Sequence, residues 1–554
     1  MPEPVRVTFL GGLGEIGRNC AVLEVEGRLL LIDCGLMFPE ETMPGVDLVL
    51  PDFTFLRENA DRIEGCVLTH GHEDHVGALS YLLRDLSFPI FGSALTLGLA
   101  RSRIEEGGLL GRTELITVAD NERRKIGPFD IEFIPVTHSV PHAFALAFHT
   151  PQGIVYHTGD WKLDLTPVDG RTTDLARLGA MATSEGGIRL LLGDSTNAEE
   201  EGYTVSERAV GKVLRDLMRN AEGKRLIVAC FASHLHRIQQ VIDAAVANGR
   251  TVATLGRSMQ KNLALARSMG LLTVSDAHLV DIEKVVELDP AKVCVISTGS
   301  QGEPMSALSL MAAGENRWLK VGADDVVILS SHAIPGNESA VGRVIDGLCR
   351  LGAEVIHAGI ADVHESGHAQ RGEMRTLFSI AKPEYFIPVH GEFRHMVHHA
   401  KLAMEMGVPA SNVLLCEDGD VVELSDTGID FAGNVPAGYL YVDGIVGDVG
   451  HGVLRDRRIL AEEGVVVVIV TVDVQNRTIV TGPEIVTRGW VYAPEAEDLL
   501  EEAAEKVRDS LKEAFAEDAT DFETLRRHVR RAAGSFVSER TRRKPMIVPV
   551  VMEV

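Results

Sequence analysis

Apolar runs of strand length, closed by glycine or polar turns, dominate the first 200 residues of the chain. Residues 5–10, 20–25 and 29–34 follow this pattern, with Gly11-Gly12 and Gly27 at the breaks, and predict β-hairpins. Strands are expected again at 63–68, 131–135, 154–157, 190–193 and 385–389, and a helix at 76–86. Between 205 and 359 the texture changes to helices (205–220, 236–248, 257–269, 338–351) alternating with aliphatic strands (226–231, 251–255, 292–298, 325–331, 354–358). That alternation predicts a parallel sheet covered on both faces. The last block reads as strands at 465–472 and 477–481, helices at 494–515 and 521–539, and a strand at 546–552. Pro494 suits a first helical position.

A chain of 554 residues is too long for one core, and 45% hydrophobic with 24% charged residues is ordinary for a globular protein. The net charge of −26 excludes a protein that coats nucleic acid by bulk attraction, though not one that grips phosphates in a local channel. Seven scattered cysteines without a Cys-x-x-Cys pair suggest buried free thiols. No basic segment leads into a long apolar one at the start, and the longest aliphatic run, 465–470, is too short to cross a bilayer. A cytoplasmic protein with no membrane partner is expected.

Candidate chemistry changes the picture. The run Thr69-His70-Gly71-His72-Glu73-Asp74-His75 packs three imidazoles and two carboxylates behind the strand at 63–68. Such groups hold Zn²⁺ or Mn²⁺. His70 and His72 leave the same face of an extended backbone. Asp74 and His75 turn toward a second position, so two ions side by side are expected. More donors end other strands: His138 after 131–135, Asp160 after 154–157 and His390 after 385–389. An aspartate at 160 can bridge two cations. His142 competes with His138, which abuts its strand more directly. Gly12, Gly14 and Gly17 match a dinucleotide fingerprint, but no helix pattern follows, so a tight loop near the site is the better reading. A histidine capable of binding metal returns after the alternating block, at Pro388-Val389-His390-Gly391-Glu392, so the block reads as an insertion into the first domain.

At this point the chain resembles a known family. His-x-His-x-Asp-His followed by separate His, Asp and His is the pattern of metallo-β-lactamase-fold hydrolases. Asp194-Ser195-Thr196, His364-Glu365-Ser366-Gly367-His368-Ala369 and Pro388-Val389-His390-Gly391 resemble the three further motifs of the β-CASP nuclease branch. The run 297–304 and the C-terminal block resemble the bacterial ribonuclease J family in particular. The resemblance implies an α/β fold: a metallo-β-lactamase αββα sandwich (1–205 and 361–447) interrupted by a β-CASP domain (206–360). A linker (448–464) and a small C-terminal α/β domain (465–554) follow.

It implies one metal held by His70, His72, His138 and Asp160, and another by Asp74, His75, Asp160 and His390, zinc or manganese in either case. A structural Ca or Mn ion would lie at Asp47, Val49 and Asp443. Asp74 would also orient the attacking water. His368, paired with Asp194, would protonate the leaving group or clamp phosphate. Ser233, Ser300, Gln301, Ser331, His364, Glu365, Ser366, Gly367 and His368 are expected to line an RNA and phosphate pocket, with His234 and His332 nearby. The implied activity is 5′-to-3′ exonucleolytic cleavage of single-stranded RNA with a 5′-monophosphate, with endonuclease ability, in RNA maturation and decay. Histidine at 390 is the RNA-enzyme variant of its motif. A small-molecule thioesterase on the same fold would have no use for an insert of this size, and a silent RNA-binding scaffold would not need the full ligand set. The arginines at 526, 527, 530, 531, 540, 542 and 543 with Lys544 read as an oligomer interface more than an RNA contact, which points to a homodimer or homotetramer. Other RNA-decay proteins are expected partners.

Overall fold

A computed structural model describes residues 3–554 apart from 41, 185, 335, 445 and 492–495, and apart from the side chains of 446–448 and 451. The chain divides into two compact units, Met1–Phe38 with Val49–Tyr439, and Pro39–Leu48 with Leu440–Val554.

The first unit is built on two stacked sheets. One has eight strands in the order Gly428–Asn434, Asp420–Ser425, Val5–Gly11, Cys20–Val25, Arg28–Ile32, Ile63–Val67, Ile90–Gly92 and Leu115–Thr117. The other has six, in the order Tyr385–Val389, Ile188–Asp194, Gly153–His157, Ala143–Thr150, Phe129–Val136 and Arg123–Ile126. Val7, Phe9, Leu23 and Leu30 of the first meet Ile131, Phe133, Leu146, Leu190 and Ile387 of the second in one core cluster. Each such side chain contributes about 1.5–3 kcal/mol on leaving water. The residues between them, Ile134, Val136, Leu191 and Phe386, point the other way and pack on Leu178, Leu377 and Phe378 of the helices Leu175–Ala182 and Arg371–Ala381. Burial on both faces explains why these strands read as continuous apolar runs rather than as an alternation.

The inserted parallel sheet has the order Thr251–Leu255, Val293–Ser297, Arg225–Ala229, Asp325–Leu329 and Glu354–Ile356. Leu226 and Val228 face one core, Ile227 and Ala229 the other. The strands that flank the insert in sequence lie side by side: Ile188–Asp194 pairs in parallel with Tyr385–Val389, Asp194 opposite Val389. Two strand ends nearly 200 residues apart are thereby set next to each other.

The second unit contains a three-stranded sheet with Val465–Asp473 in the middle, antiparallel to Thr478–Arg488 and parallel to Met546–Glu553. Val466, Val468, Val470 and Val472 are buried against Val507, Leu511, Leu525 and Val529 of the helices Glu497–Ala516 and Phe522–Thr541. No helix among the described residues is long and apolar enough to cross a membrane.

Several expectations change. The helix expected at 76–86 is two short ones, Glu73–Val76 and Leu79–Leu82. The Ala78 amide, which would have continued the first, bonds the Cys34 carbonyl at 3.0 Å instead. The strand expected at 477–481 runs on to Arg488. The expected linker carries the helix Gly450–Glu462. Pro494 lies outside the described residues, and the helix there begins at Glu497. Six cysteines are buried, but Cys349, in the last turn of the helix Glu338–Arg350, is exposed.

Candidate metal centre

Strand ends and the loops after them converge at one edge of the stacked sheets. The strand Ile63–Val67 leads into His70 and His72, and the short helix Glu73–Val76 carries Asp74 and His75. Phe129–Val136 delivers His138, Gly153–His157 delivers Asp160, and Tyr385–Val389 delivers His390. His70, His72, His138 and Asp160 bring one donor atom each to within 4.8 Å of one another, and so do Asp74, His75, Asp160 and His390. His138 rather than His142 joins the first group.

The spacings suit metal. In the first group the Nδ1 of His72 lies 3.0 Å from His70 Nε2 and 3.2 Å from His138 Nε2, and Asp160 Oδ2 lies 3.5 Å from His70 Nε2. In the second, His75 Nε2 is 3.3 Å from Asp160 Oδ2, and His390 Nε2 is 3.5 Å from Asp74 Oδ2 and 3.6 Å from Asp160 Oδ1. A tetrahedral ion with bonds of about 2.1 Å spaces its donors about 3.4 Å apart. Asp160 turns one carboxylate toward both groups. His390 Nε2 is buried, has no hydrogen-bond partner and points into the centre.

Charge points the same way. Burial drives His70 and His138 well below the ordinary imidazole value and His72 down to about 4, leaving neutral ligands. Burial also works against ionised Asp160, but His390 and His75 outweigh it and hold the carboxyl well down. Conversely, burial would lower His75 and His390, yet the surrounding carboxylates, Asp160 foremost, keep both well above their usual range. The cluster of carboxylates draws positive charge to the places where cations would sit. The residues present fit divalent ions.

A second layer aims the rings. His75 Nδ1 lies 2.7 Å from Asp33 Oδ2, His138 Nδ1 2.8 Å from the Gly367 carbonyl and His390 Nδ1 2.8 Å from Thr196 Oγ1. Each leaves Nε2 to the centre. Asp33 also accepts from the Thr69 amide and hydroxyl. Asn19 Nδ2 donates to the Asp74 carbonyl and sits 3.1 Å from His75 Nε2. The sequence assigns no role to Asp33 or Asn19, and marks Thr196 only as part of its motif. Asp33 could have been found, because it ends an apolar run as Asp160 and Asp194 do. The glycine loop is where it was expected: Leu13 and Gly14 pair with Gly391 and Glu392, directly after His390.

Asp194 and His368 stand beside the donors. His368 Nδ1 is 2.8 Å from Asp194 Oδ2, its Nε2 4.0 Å from Asp160 Oδ2, and its ring stacks 5.3 Å from that of His390. Burial would lower His368, but Asp194 and Asp160 hold it above the ordinary histidine value.

The expected phosphate-pocket residues fare differently. Ser300, Gln301 and Ser331 come together, yet Gln301 spends its amide on the His332 carbonyl and the Ile334 amide, and Ser331 bonds the Ser300 carbonyl. Ser366 accepts from Asn197 and from the His368 amide, so its hydroxyl shapes the loop. Gly367 holds His138, and a Cβ there would meet that ring at 2.8 Å. His364 packs edge-on to His332, with ring centroids 4.9 Å apart, and its Nδ1 is unpartnered. Glu365 lines a small cavity with Lys162, Glu207 and His234, while Ser233, half-buried, precedes the helix Leu235–Ala247.

At the expected structural ion, Asp47 accepts from the Gly444 amide at 2.7 Å and Asp443 pairs with Arg457. Val49 bridges Met37 through its backbone. No three-donor group forms at these residues among those described.

Comparison with known proteins follows this geometry. Four family models match: "Metallo-beta-lactamase superfamily" over 13–182, "Ribonuclease J, beta-CASP domain" over 223–348, "Zn-dependent metallo-hydrolase RNA specificity domain" over 354–413 and "Ribonuclease J C-terminal domain" over 452–554. Ribonuclease J2 of Bacillus subtilis is 40% identical over 553 residues, covering 100% of this chain and 99% of that protein. Ribonuclease J of Mycolicibacterium smegmatis is 44% identical over 556 residues, covering 100% and 98%. A solved protein of unknown function from Enterococcus faecalis shares the fold, with a TM-score of 0.55 at 17% identity, over 76% of this chain and 100% of that one.

Proposed function

The chain belongs to the ribonuclease J family and is a metal-dependent ribonuclease, and on that premise we propose how its own residues divide the work. Two divalent ions, zinc or manganese, are held by His70, His72, His138 and Asp160 and by Asp74, His75, Asp160 and His390. The observation that carries this reading is the pair of four-donor groups sharing Asp160. Bound there, the ions supply Lewis acidity, easing the deprotonation of water and neutralising charge on the phosphate.

The chain's own groups do the rest. Asp74, at the exposed side of its group, orients the attacking water. Asp194 keeps His368 protonated and turned toward Asp160, so that His368 Nε2 donates the proton the leaving oxygen needs. Cleavage proceeds 5′ to 3′ on single-stranded RNA, with preference for a 5′-monophosphate and with endonuclease ability, in RNA maturation and decay in the cytoplasm. Ser233, Ser300, Gln301, Ser331, His364, Glu365, Ser366 and Gly367 shape the RNA path, several of them through the loops they fix rather than by direct contact. A homodimer or homotetramer forms through the C-terminal unit, other RNA-decay proteins bind the assembly, and Asp47, Val49 and Asp443 attract a structural cation.

Metal-loaded protein offered 5′-monophosphate RNA, 5′-triphosphate RNA and matching DNA should release mononucleotides from the first alone. Equal release from DNA would defeat the substrate assignment. Full cleavage by His368→Ala with intact metal content would remove that histidine from its role. Truncation at about residue 450 should abolish dimers in sedimentation; dimers that survive would move the interface elsewhere.

A further inference from the structure

Asp194 is surrounded on both oxygens. Oδ2 faces His368, whereas Oδ1 receives the Thr196 amide at 3.0 Å and lies 2.8 Å from the Thr196 hydroxyl. That same hydroxyl lies 2.8 Å from His390 Nδ1. A hydroxyl has one proton to give, and a carboxylate can only accept. The proton of Thr196 therefore goes to Asp194, and its oxygen must accept from His390. His390 then carries hydrogen on Nδ1, so that Nε2, the buried atom without a hydrogen-bond partner, is the nitrogen free to give up its proton to a metal.

We propose that Thr196 is a positioning residue: it fixes the His390 tautomer that can bind the second metal and links that ligand to Asp194, which orients His368 with its other oxygen. The inference rests on reading the two donor groups as a metal centre. Its physical content is direction. The backbone of His390 is held separately, because its carbonyl accepts from the Ser195 amide at 3.0 Å and the next two residues pair with Leu13 and Gly14. Among the described residues, the ring nitrogen on the far side from the metal has Thr196 at hydrogen-bond distance, with Asp194 Oδ1 farther off at 3.5 Å. Partners of this kind set ring orientation and basicity, and losing one typically weakens metal affinity about 10–100-fold.

The direction also predicts what a neutral neighbour would do. In Asp194→Asn the Thr196 backbone amide keeps the carbonyl oxygen of the new side chain on its own side and turns the NH2 toward His368, so Thr196 keeps an acceptor but a neutral one, and His390 Nε2 becomes a poorer metal ligand. Asp194, though outside the two four-donor groups, would thus influence the second ion through Thr196.

The test is a titration of metal-free, full-length protein with Zn²⁺ against a chromophoric chelator, with thermal melting as the check on folding. Wild type should take up two equivalents. Thr196→Val should weaken the second by about 10–100-fold and spare the first. Thr196→Ser, which keeps the hydroxyl, should restore it. Asp194→Asn should weaken the second equivalent in the wild-type background and add little in Thr196→Val, a non-additivity expected of groups in one network. Wild-type affinities in Thr196→Val overturn the inference, as do equal losses at both sites in the Val and Ser variants. Failure of wild type to bind two equivalents removes the metal-centre reading itself, and the inference with it.

Discussion

Asp33 makes three hydrogen bonds while almost fully buried, and His75 depends on one of them for its orientation. Asp33→Asn should keep the fold but lower zinc affinity by about 10–100-fold, read as metal retained after dialysis against a chelator. Gly367 presents a different constraint. A methyl group there collides with the His138 ring and the Ser139 hydroxyl, both within 2.9 Å. Gly367→Ala should cut turnover at least tenfold with little change in melting temperature; full activity would mean the loop yields freely. His368 gives a pH signature with a definite sign. Its donor form exists below its pKa, which Asp194 and Asp160 hold above the usual value against the opposing effect of burial. The alkaline limb of kcat should therefore lie above the ordinary histidine range, and Asp194→Asn should bring it down. An unmoved limb in that variant would separate the two residues.

At the scale of elements, Arg237 ties separate segments of the insert to one another and to Val363 just after it. It is fully buried, pairs with both oxygens of Glu207 at the start of the helix Glu207–Asn220, and reaches the Ser330 and Val363 carbonyls. Removing it leaves the buried Glu207 carboxylate without its guanidinium, with His234 Nε2 3.6 Å away. Arg237→Met should cost about 3–5 kcal/mol in denaturant unfolding, with part recovered when Glu207→Gln is added. No sequence signal marked this pair, because the partners of Arg237 come from three separate segments. The aliphatic strands were legible, being buried on both faces, and so were strand-end donors such as His138 and His390. Helices such as Arg371–Ala381 and Phe393–Glu405 were not read, since their buried faces mix histidine, glutamate and arginine with apolar residues. Ring-orienting partners such as Thr196 and the Gly367 carbonyl escaped for another reason. One is an unremarkable hydroxyl and the other a backbone atom, and only the folded chain sets them against an imidazole.

For the whole molecule, the net charge of −26 opposes an RNA polyanion at long range. Raising monovalent salt from very low levels should speed RNA association, measured by stopped-flow fluorescence, in contrast to the usual behaviour of basic RNA-binding proteins. A rate that falls steeply over the same range would point to a local basic track that dominates the encounter.

The neighbouring strands Ile188–Asp194 and Tyr385–Val389 also impose a timetable on biosynthesis. Seven of the eight donor places are encoded by residue 160, counting Asp160 in both groups, but the last awaits residue 390. At about 5–20 residues per second, a ribosome needs roughly 10–40 s to travel from Asp194 to His390. Through that interval the nascent polypeptide, still tethered to its own messenger, lacks one donor of the second group. Stalled chains ending before His390 should leave labelled RNA intact, whereas chains long enough to expose it beyond the exit tunnel should begin to cut. On the two-ion reading, the messenger would be spared from the enzyme it encodes until His390 has been added.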